Sequence, residues 1–266
     1  MKDETALVVE SDGAICTLTI DRPQKRNILS TGCLDKMTKV IGELSGAGKV
    51  RALIIRGSGE KVFSAGYDIS ALSTSPPSEA ASSYEDRSPL ESALQAIRAF
   101  PYPVIAMLNG HAYGGGCELA IACDIRVAAR RTKMGMPPAK LGLVYPYAGY
   151  RRFLTVLGLS RTMEIFLTGR EYDSRSCLNM GLTNYVVDDE NLEPFTYELA
   201  REISENAPLS LQGTKQTLYK IAEPPVLNEE EEQRLRSLFG WSLQSEDMKE
   251  GKRAFSEKRK PHFKGR

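Results

Sequence analysis

Neither sign of charge dominates this sequence. Thirty-five Lys and Arg stand against 34 Asp and Glu, a formal net charge of +1. A general binder of phosphate backbones needs a basic excess, so no nucleic-acid partner is expected, while a small anionic ligand held by a few cations stays open. Cysteine is scarce and odd in number: Cys16, Cys33, Cys117, Cys123 and Cys177, with no CxxC pair. Metal-ligand spacing is therefore missing and a disulfide framework is not expected; small buried thiols in a reducing compartment fit better. No apolar run is long enough to span a bilayer, and the charged start, residues 1–6, is not followed by a signal-peptide core. A soluble, cytoplasmic chain without a membrane partner is the expectation. Two nucleotide-binding signatures are missing as well. No Gly-Lys-Ser/Thr follows the glycine-rich turn at 114–116, and that turn is not a clean dinucleotide fingerprint. His111 lies nearby, but no Ser or Cys nucleophile pairs with it by motif, so a structural histidine is the simpler reading.

What is present is enough for a sizeable core: 266 residues, 41% hydrophobic. The length suits one large domain, or one with a smaller appendage. Residues 6–9 and 14–20 flank Asp12-Gly13 and read as a hairpin. Residues 21–27 read as a loop around Pro23. Leu34, Met37, Val40, Ile41 and Leu44 recur at helical spacing within 30–44. Strands follow at 52–56, from 61 to a turn at Ala65-Gly66, at 104–108, at 125–129 and at 184–187. Helices are expected at 89–99, 117–123, 150–157, 161–167 and 174–180. Residues 72–89, rich in Ser and Pro, read as a mobile surface loop. From 192 onward every segment reads as helix, with spans at 192–206, 209–222 and 228–244; the four glutamates 229–232 supply favourable charge to the last start. Strands alternating with helices imply an α/β chain with a mainly parallel sheet.

Two glycine turns stand out, each after an expected strand: Phe63-Ser64-Ala65-Gly66-Tyr67-Asp68, and Asn109-Gly110-His111-Ala112-Tyr113-Gly114-Gly115-Gly116-Cys117-Glu118. Glycines at a helix start let the backbone approach a ligand and present unpaired N–H groups to an anion. One such turn is a weak signal. Two on neighbouring strands can aim two amides at one oxygen, forming an oxyanion hole.

With Ala122-Cys123-Asp124 after the second turn, these residues resemble the crotonase (enoyl-CoA hydratase/isomerase) superfamily. Asp21-Arg22-Pro23 with Asn27, Leu167-Thr168-Gly169-Arg170 and residues 255–263 extend the likeness over nearly the whole chain. The resemblance implies a spiral of ββα units: two roughly perpendicular sheets flanked by helices, with a helical C-terminal part. The core would be 1–200, and 201–266 would complete the site and make oligomer contacts. It implies an acyl-CoA thioester substrate with no separate cofactor, and a homotrimer or homohexamer. The amides of Tyr67 and Gly115 become the oxyanion hole. Ala65, Gly66, Tyr67, Asp68 and Ile69 line the CoA side, with Lys25, Arg26, Gly115 and Pro137 contributing. Lys258 would approach the CoA phosphates, or else be a solvated tail charge.

The reaction is where family members diverge. Hydratases of the family use two glutamates. The first corresponds to Glu118; the second corresponds to Pro138, which cannot act as acid or base. Single-glutamate isomerases usually keep the position lost here. The stretch 136–149 with Tyr145, and the ending 257–261, resemble instead the branch of the family that decarboxylates methylmalonyl-CoA. There, a tyrosine at the Tyr145 position contacts the departing carboxylate. Decarboxylation needs that carboxylate out of the thioester plane and a stabilised enolate, not a base. The catalytic set is thus Tyr67, Gly115, Glu118 and Tyr145. Hydration or isomerisation of an enoyl-CoA is the alternative, and a non-catalytic acyl-CoA or RNA-binding member is a second. Simpler readings remain for two of these residues: Tyr145 as a core aromatic, and Glu118 as a helix-dipole partner.

Overall fold

The computed structural model describes residues 7–67, 88–222 and 229–265. The hairpin forms as expected: β1 (Leu7–Asp12) pairs antiparallel with β2 (Ile15–Ile20), and Gly13 takes the left-handed conformation in the turn between them. After a 3-10 turn at Pro23–Lys25, α1 (Thr31–Ala47) starts on the side chain of Ser30, which accepts from the Cys33 amide. It buries Cys33, Leu34, Met37 and Ile41, the face that its spacing sets out. β3 (Ala52–Gly57), β4 (Val62–Ser64), α2 (Pro89–Ala99) and β5 (Val104–Leu108) follow. Next come β6 (His111–Tyr113), α3 (Gly115–Ala122), β7 (Ile125–Ala129) and β8 (Lys133–Gly135).

The strands form two sheets. One has six strands in the order β1-β2-β3-β5-β7-β10; the other has four, β4-β6-β8-β9. In the larger sheet every pairing after the hairpin is parallel, which fits the near-continuous apolar runs of β3 and β5, buried on both faces. Each fully buried Leu or Ile, such as Leu53, Ile55 and Leu108, contributes about 2 kcal/mol relative to exposure. Helices α1, α2 and α3 share one apolar core with the sheet; α6 (Leu192–Glu205) covers the opposite face.

The small sheet is the main departure from the sequence reading. β6, β8 and β9 (Glu171–Asp173) are three residues each, too short to display a period of two. The two expected helices at 150–157 and 161–167 form and run end to end as α4 (Tyr147–Thr168), separated by a break at Gly158 with φ of 70°. α5 (Ser174–Met180) and β10 (Tyr185–Val187) match expectation. The C-terminal part carries the helices α7 (Pro208–Ile221), α8 (Glu229–Gln244) and α9 (Glu246–Ser256), while 257–265, expected to be helical like the rest, is not. The boundary expected at residue 200 falls inside α6. Of the loop expected at 72–89, residues 72–87 lie outside the described residues; Ser88 and Pro89 already cap and open α2. All five cysteines are buried thiols, and burial pushes Cys33 up to about 11 and Cys123 to about 12.

Candidate active site

The site begins where β4 and β6 end side by side. After β4, the Ala65 amide donates to the Arg26 carbonyl at 3.0 Å, and the Leu29 amide donates to the Gly66 carbonyl at 2.9 Å. Asn27 anchors this turn from behind. Its side-chain amide donates to the carbonyls of Ser58 and Val62, while its own carbonyl accepts from the Ser64 hydroxyl at 2.8 Å. That hydroxyl in turn accepts from the Gly66 amide at 3.2 Å. The likeness carried by Asn27 therefore has a structural cause: it shapes the first glycine turn.

The second turn crosses directly over the first. Gly66 has φ of 100°, and a β-carbon there would lie 2.6 Å from the Tyr113 carbonyl oxygen. A β-carbon on Gly116 would lie 2.4 Å from the Ser64 carbonyl oxygen. Only glycine permits this approach. It brings the Tyr67 amide nitrogen within 3.2 Å of where a Gly115 β-carbon would sit. Gly115 opens α3, so its N–H has no partner inside the helix. Among the described residues, neither amide has a backbone acceptor. The two nitrogens thus sit side by side at the positive end of α3, an arrangement able to take one oxygen.

Tyr67 and Gly115 line a cavity of about 160 Å³ together with Ala65, Gly66, Glu118, Pro137, Pro138 and Tyr145. Leu90 and Glu91 of α2 and Phe239 of α8 close it. Asp68 and Ile69 lie outside the described residues. Lys25, Arg26 and Lys258 are exposed and do not line the cavity; Arg26 contributes only the carbonyl that holds Ala65.

Glu118 and Tyr145 meet in this cavity. The Tyr145 hydroxyl donates to Glu118 Oε2 at 2.6 Å, and its ring packs against Tyr150 and Phe166. Tyr147, two residues further on, points elsewhere, its ring beneath the guanidinium groups of Arg151 and Arg236. Sequence reasoning missed the partner on the other side. Arg152 of α4 donates from Nη1 to Glu118 Oε1 at 2.7 Å, and from Nη2 to Glu91 Oε1. Glu118 is therefore far from a bare acid in a pocket. Burial pushes its carboxyl up, and Glu91 adds to this; Arg152 and the Tyr145 hydrogen bond pull it back, leaving it raised. Burial and the Glu118 charge drive Tyr145 well above its ordinary value. Burial works against the charge on Arg152, but Glu118 and Glu91 together overcome it. Glu91 and Arg152 also line a second cavity, of about 620 Å³, between α2, α3, α4 and α7.

Asp124, after the second turn, has a structural task. It accepts from the Val104 amide at 2.7 Å, the Lys215 ammonium at 2.8 Å and the Tyr219 hydroxyl at 2.8 Å, fastening α7 to the core. His111 Nδ1 accepts from the Lys133 amide, in keeping with a structural histidine. Among the described residues, no helix is long and apolar enough to cross a membrane.

The enoyl-CoA hydratase/isomerase family model matches residues 10–266, and the chain belongs to this family. It is 33% identical over 252 residues to methylmalonyl-CoA decarboxylase of Escherichia coli, covering 94% of this chain and 95% of that one. It is 37% identical over 259 residues to carnitinyl-CoA dehydratase of Citrobacter koseri, covering 96% of each. A solved structure of methylmalonyl-CoA decarboxylase in complex with 2-nitronate-propionyl-CoA superposes with a TM-score of 0.91 at 31% identity, over 98% of this chain and 99% of that one. The protein is a crotonase-family acyl-CoA enzyme; its relatives divide over the reaction.

Proposed function

We propose that this enzyme decarboxylates a short malonyl-CoA-type thioester such as methylmalonyl-CoA, holding the enolate oxygen between the Tyr67 and Gly115 amides. The observation that carries this reading is the asymmetry of the cavity. Tyr145 meets Glu118 there, while Pro138, which the family likeness matches to the second hydratase glutamate, lines the same cavity without a carboxylate. Hydration of a double bond needs a proton added and a water activated, normally by two carboxylates. The cavity does hold a second carboxylate, Glu91, but it comes from α2 and is bound to Arg152 rather than aimed across at Glu118. Loss of CO2 from a malonyl thioester asks less. The carboxylate must lie out of the thioester plane, and the enolate oxygen must be met by donors, an interaction worth about 3 kcal/mol per donor in the transition state. The superposition on methylmalonyl-CoA decarboxylase adds support. The alternative is an enoyl-CoA hydratase or dehydratase, favoured by the presence of Glu118 and by the carnitinyl-CoA dehydratase relative.

The test is an assay of methylmalonyl-CoA, malonyl-CoA and crotonyl-CoA with identification of products. CO2 release from a malonyl thioester is expected, and Tyr145→Phe should lower kcat/KM for it by an amount equivalent to about 1.5–3 kcal/mol, the range for a hydrogen bond to a charged group. Robust hydration of crotonyl-CoA, unaffected by Tyr145→Phe and without CO2 from either malonyl thioester, would overturn the proposal in favour of a hydratase.

A further inference from the structure

Tyr145 has a single hydroxyl proton. With Glu118 ionised, the 2.6 Å contact spends that proton on Glu118, and the pair itself offers the cavity only oxygen lone pairs. A malonyl carboxylate would then meet no donor there. With a proton on Glu118 Oε2, the same contact runs the other way: Glu118 donates to Tyr145, and the Tyr145 proton is free to turn into the cavity. The decarboxylation reading therefore requires Glu118 to hold a proton, and what decides this is the neighbourhood of its other oxygen.

That oxygen meets Arg152, which alone would hold Glu118 ionised. Arg152 is divided, however: one arm reaches Glu118 Oε1 and the other reaches Glu91 Oε1. All three side chains are largely enclosed, with 4% exposure at Glu118, 10% at Glu91 and 17% at Arg152. Two carboxylates around one guanidinium leave an excess negative charge on side chains that are mostly buried, and one proton relieves it. The groups around Glu118 are Tyr145 from the segment before α4, Arg152 from α4, Glu91 from α2, and Cys117 beside it on α3, whose thiol burial holds well above its ordinary range. Among these, Arg152 is the single cation.

We propose that Glu91 is a positioning residue: by occupying one arm of Arg152 it leaves Glu118 able to carry a proton, which the Glu118–Tyr145 pair delivers to the carbon that loses CO2. The inference rests on the decarboxylase reading. The step balances. The bond to the carboxylate breaks, its electron pair enters the thioester enolate, and CO2 leaves. The enolate carbon then takes the proton of Tyr145, and Tyr145 takes that of Glu118. Glu118 ends as a carboxylate facing Arg152. One proton is consumed per turnover, as the net reaction demands, and water restores it after the product departs.

The donor form is lost as pH rises, so kcat/KM should fall along an alkaline limb. In Glu91→Gln the whole charge of Arg152 acts on Glu118, and the limb should move to lower pH by about one unit. In Arg152→Gln it should move to higher pH. A merely structural role for Glu91 predicts slower turnover with the limb in place. Infrared difference spectra of the Glu118 carboxyl stretch, assigned with Glu118→Gln, follow the same proton in ligand-free enzyme without turnover. In Glu91→Gln the band should vanish at lower pH than in the wild type. An unmoved limb together with an unmoved band in Glu91→Gln would overturn the role of Glu91 while leaving CO2 release intact. Absence of CO2 release from the wild type, with the band shifting as expected, would instead remove the decarboxylase reading, and the proton delivery with it.

Discussion

At the scale of single residues, Gly149 shows how tightly the pair is set. It lies within α4, where alanine normally gains about 0.5–1 kcal/mol over glycine. A β-carbon here, however, would lie 2.5 Å from Tyr145 Cε1 and 2.9 Å from Glu118 Oε1. Overpacking of this kind costs about 1–3 kcal/mol, more than the helix gains. Gly149→Ala should therefore lower the thermal midpoint and, by displacing both side chains, depress kcat. A variant more stable than the wild type with unchanged kcat would show that the contact relaxes freely. The site was partly legible for the same reason that Gly149 is glycine: close backbone approach restricts residue type, so the turns at 64–67 and 114–116 announce themselves. Arg152 and Glu91 do not. In sequence, Arg152 is one of two adjacent arginines on a helix, and Glu91 is an acid in a first helical turn, where the dipole alone accounts for it. Only the packing of α2 and α4 on α3 brings them to Glu118.

At the scale of elements, long periodic segments matched expectation, because α1, α2 and α6 each bury one continuous face and their spacing records it. Of the small sheet only β4 was legible; β6, β8 and β9 were not, since segments such as Lys133-Met134-Gly135 hold their shape through neighbours rather than pattern. The last element carries a prediction of its own. The chain after α9 folds back through carboxylates on that helix. Glu250 accepts from Arg259 Nη1 at 2.6 Å, from the His262 amide at 2.9 Å and from Arg253 Nη2 at 2.5 Å. Asp247 accepts from the amides of Lys264 and Gly265. Lys258 sits in the resulting turn with φ of 54°. The Arg259 hydrogen bonds, then the His262 amide and Arg253, hold the Glu250 carboxyl well below the usual carboxylate range. A carboxyl lowered in the folded state stabilises above its unfolded value and loses that contribution as pH falls through its folded value. Hydrogen exchange at 257–265 should therefore quicken in strong acid, and at neutral pH in Glu250→Gln. With Lys258 at the CoA phosphates, as the family likeness implies, Glu250→Gln should also raise KM for the thioester and leave kcat nearly unchanged. Unaltered exchange in that variant would mean that the tail is held by other contacts.

At the scale of the whole molecule, what the chain leaves uncovered is as informative as its core. Beyond the break at Gly158, α4 exposes Leu159, Met163 and Leu167, at 65%, 50% and 70%. Their spacing of four places them on one face. α7 exposes Leu218 and Ile221, three apart on one face, at 60% and 74%, and Leu209, at 83%, on the opposite face. Single exposed leucines are ordinary, but stripes of them on helices are what an interface buries. The family likeness implies a homotrimer or a homohexamer, and closed rings of identical subunits are the usual way for one chain to cover such faces. Light scattering on the purified protein should therefore report a mass three or six times that of the chain. Met163→Glu combined with Leu167→Glu places two charges where an apolar contact is expected, and should shift the population toward smaller species while the α/β circular-dichroism signature persists. A wild-type protein that stays monomeric at micromolar concentration would rule out the assembly and leave the stripes on α4 and α7 requiring another partner. An oligomer indifferent to the double variant would move the interface away from α4 and toward the α7 face, where Leu218→Glu with Ile221→Glu makes the corresponding test.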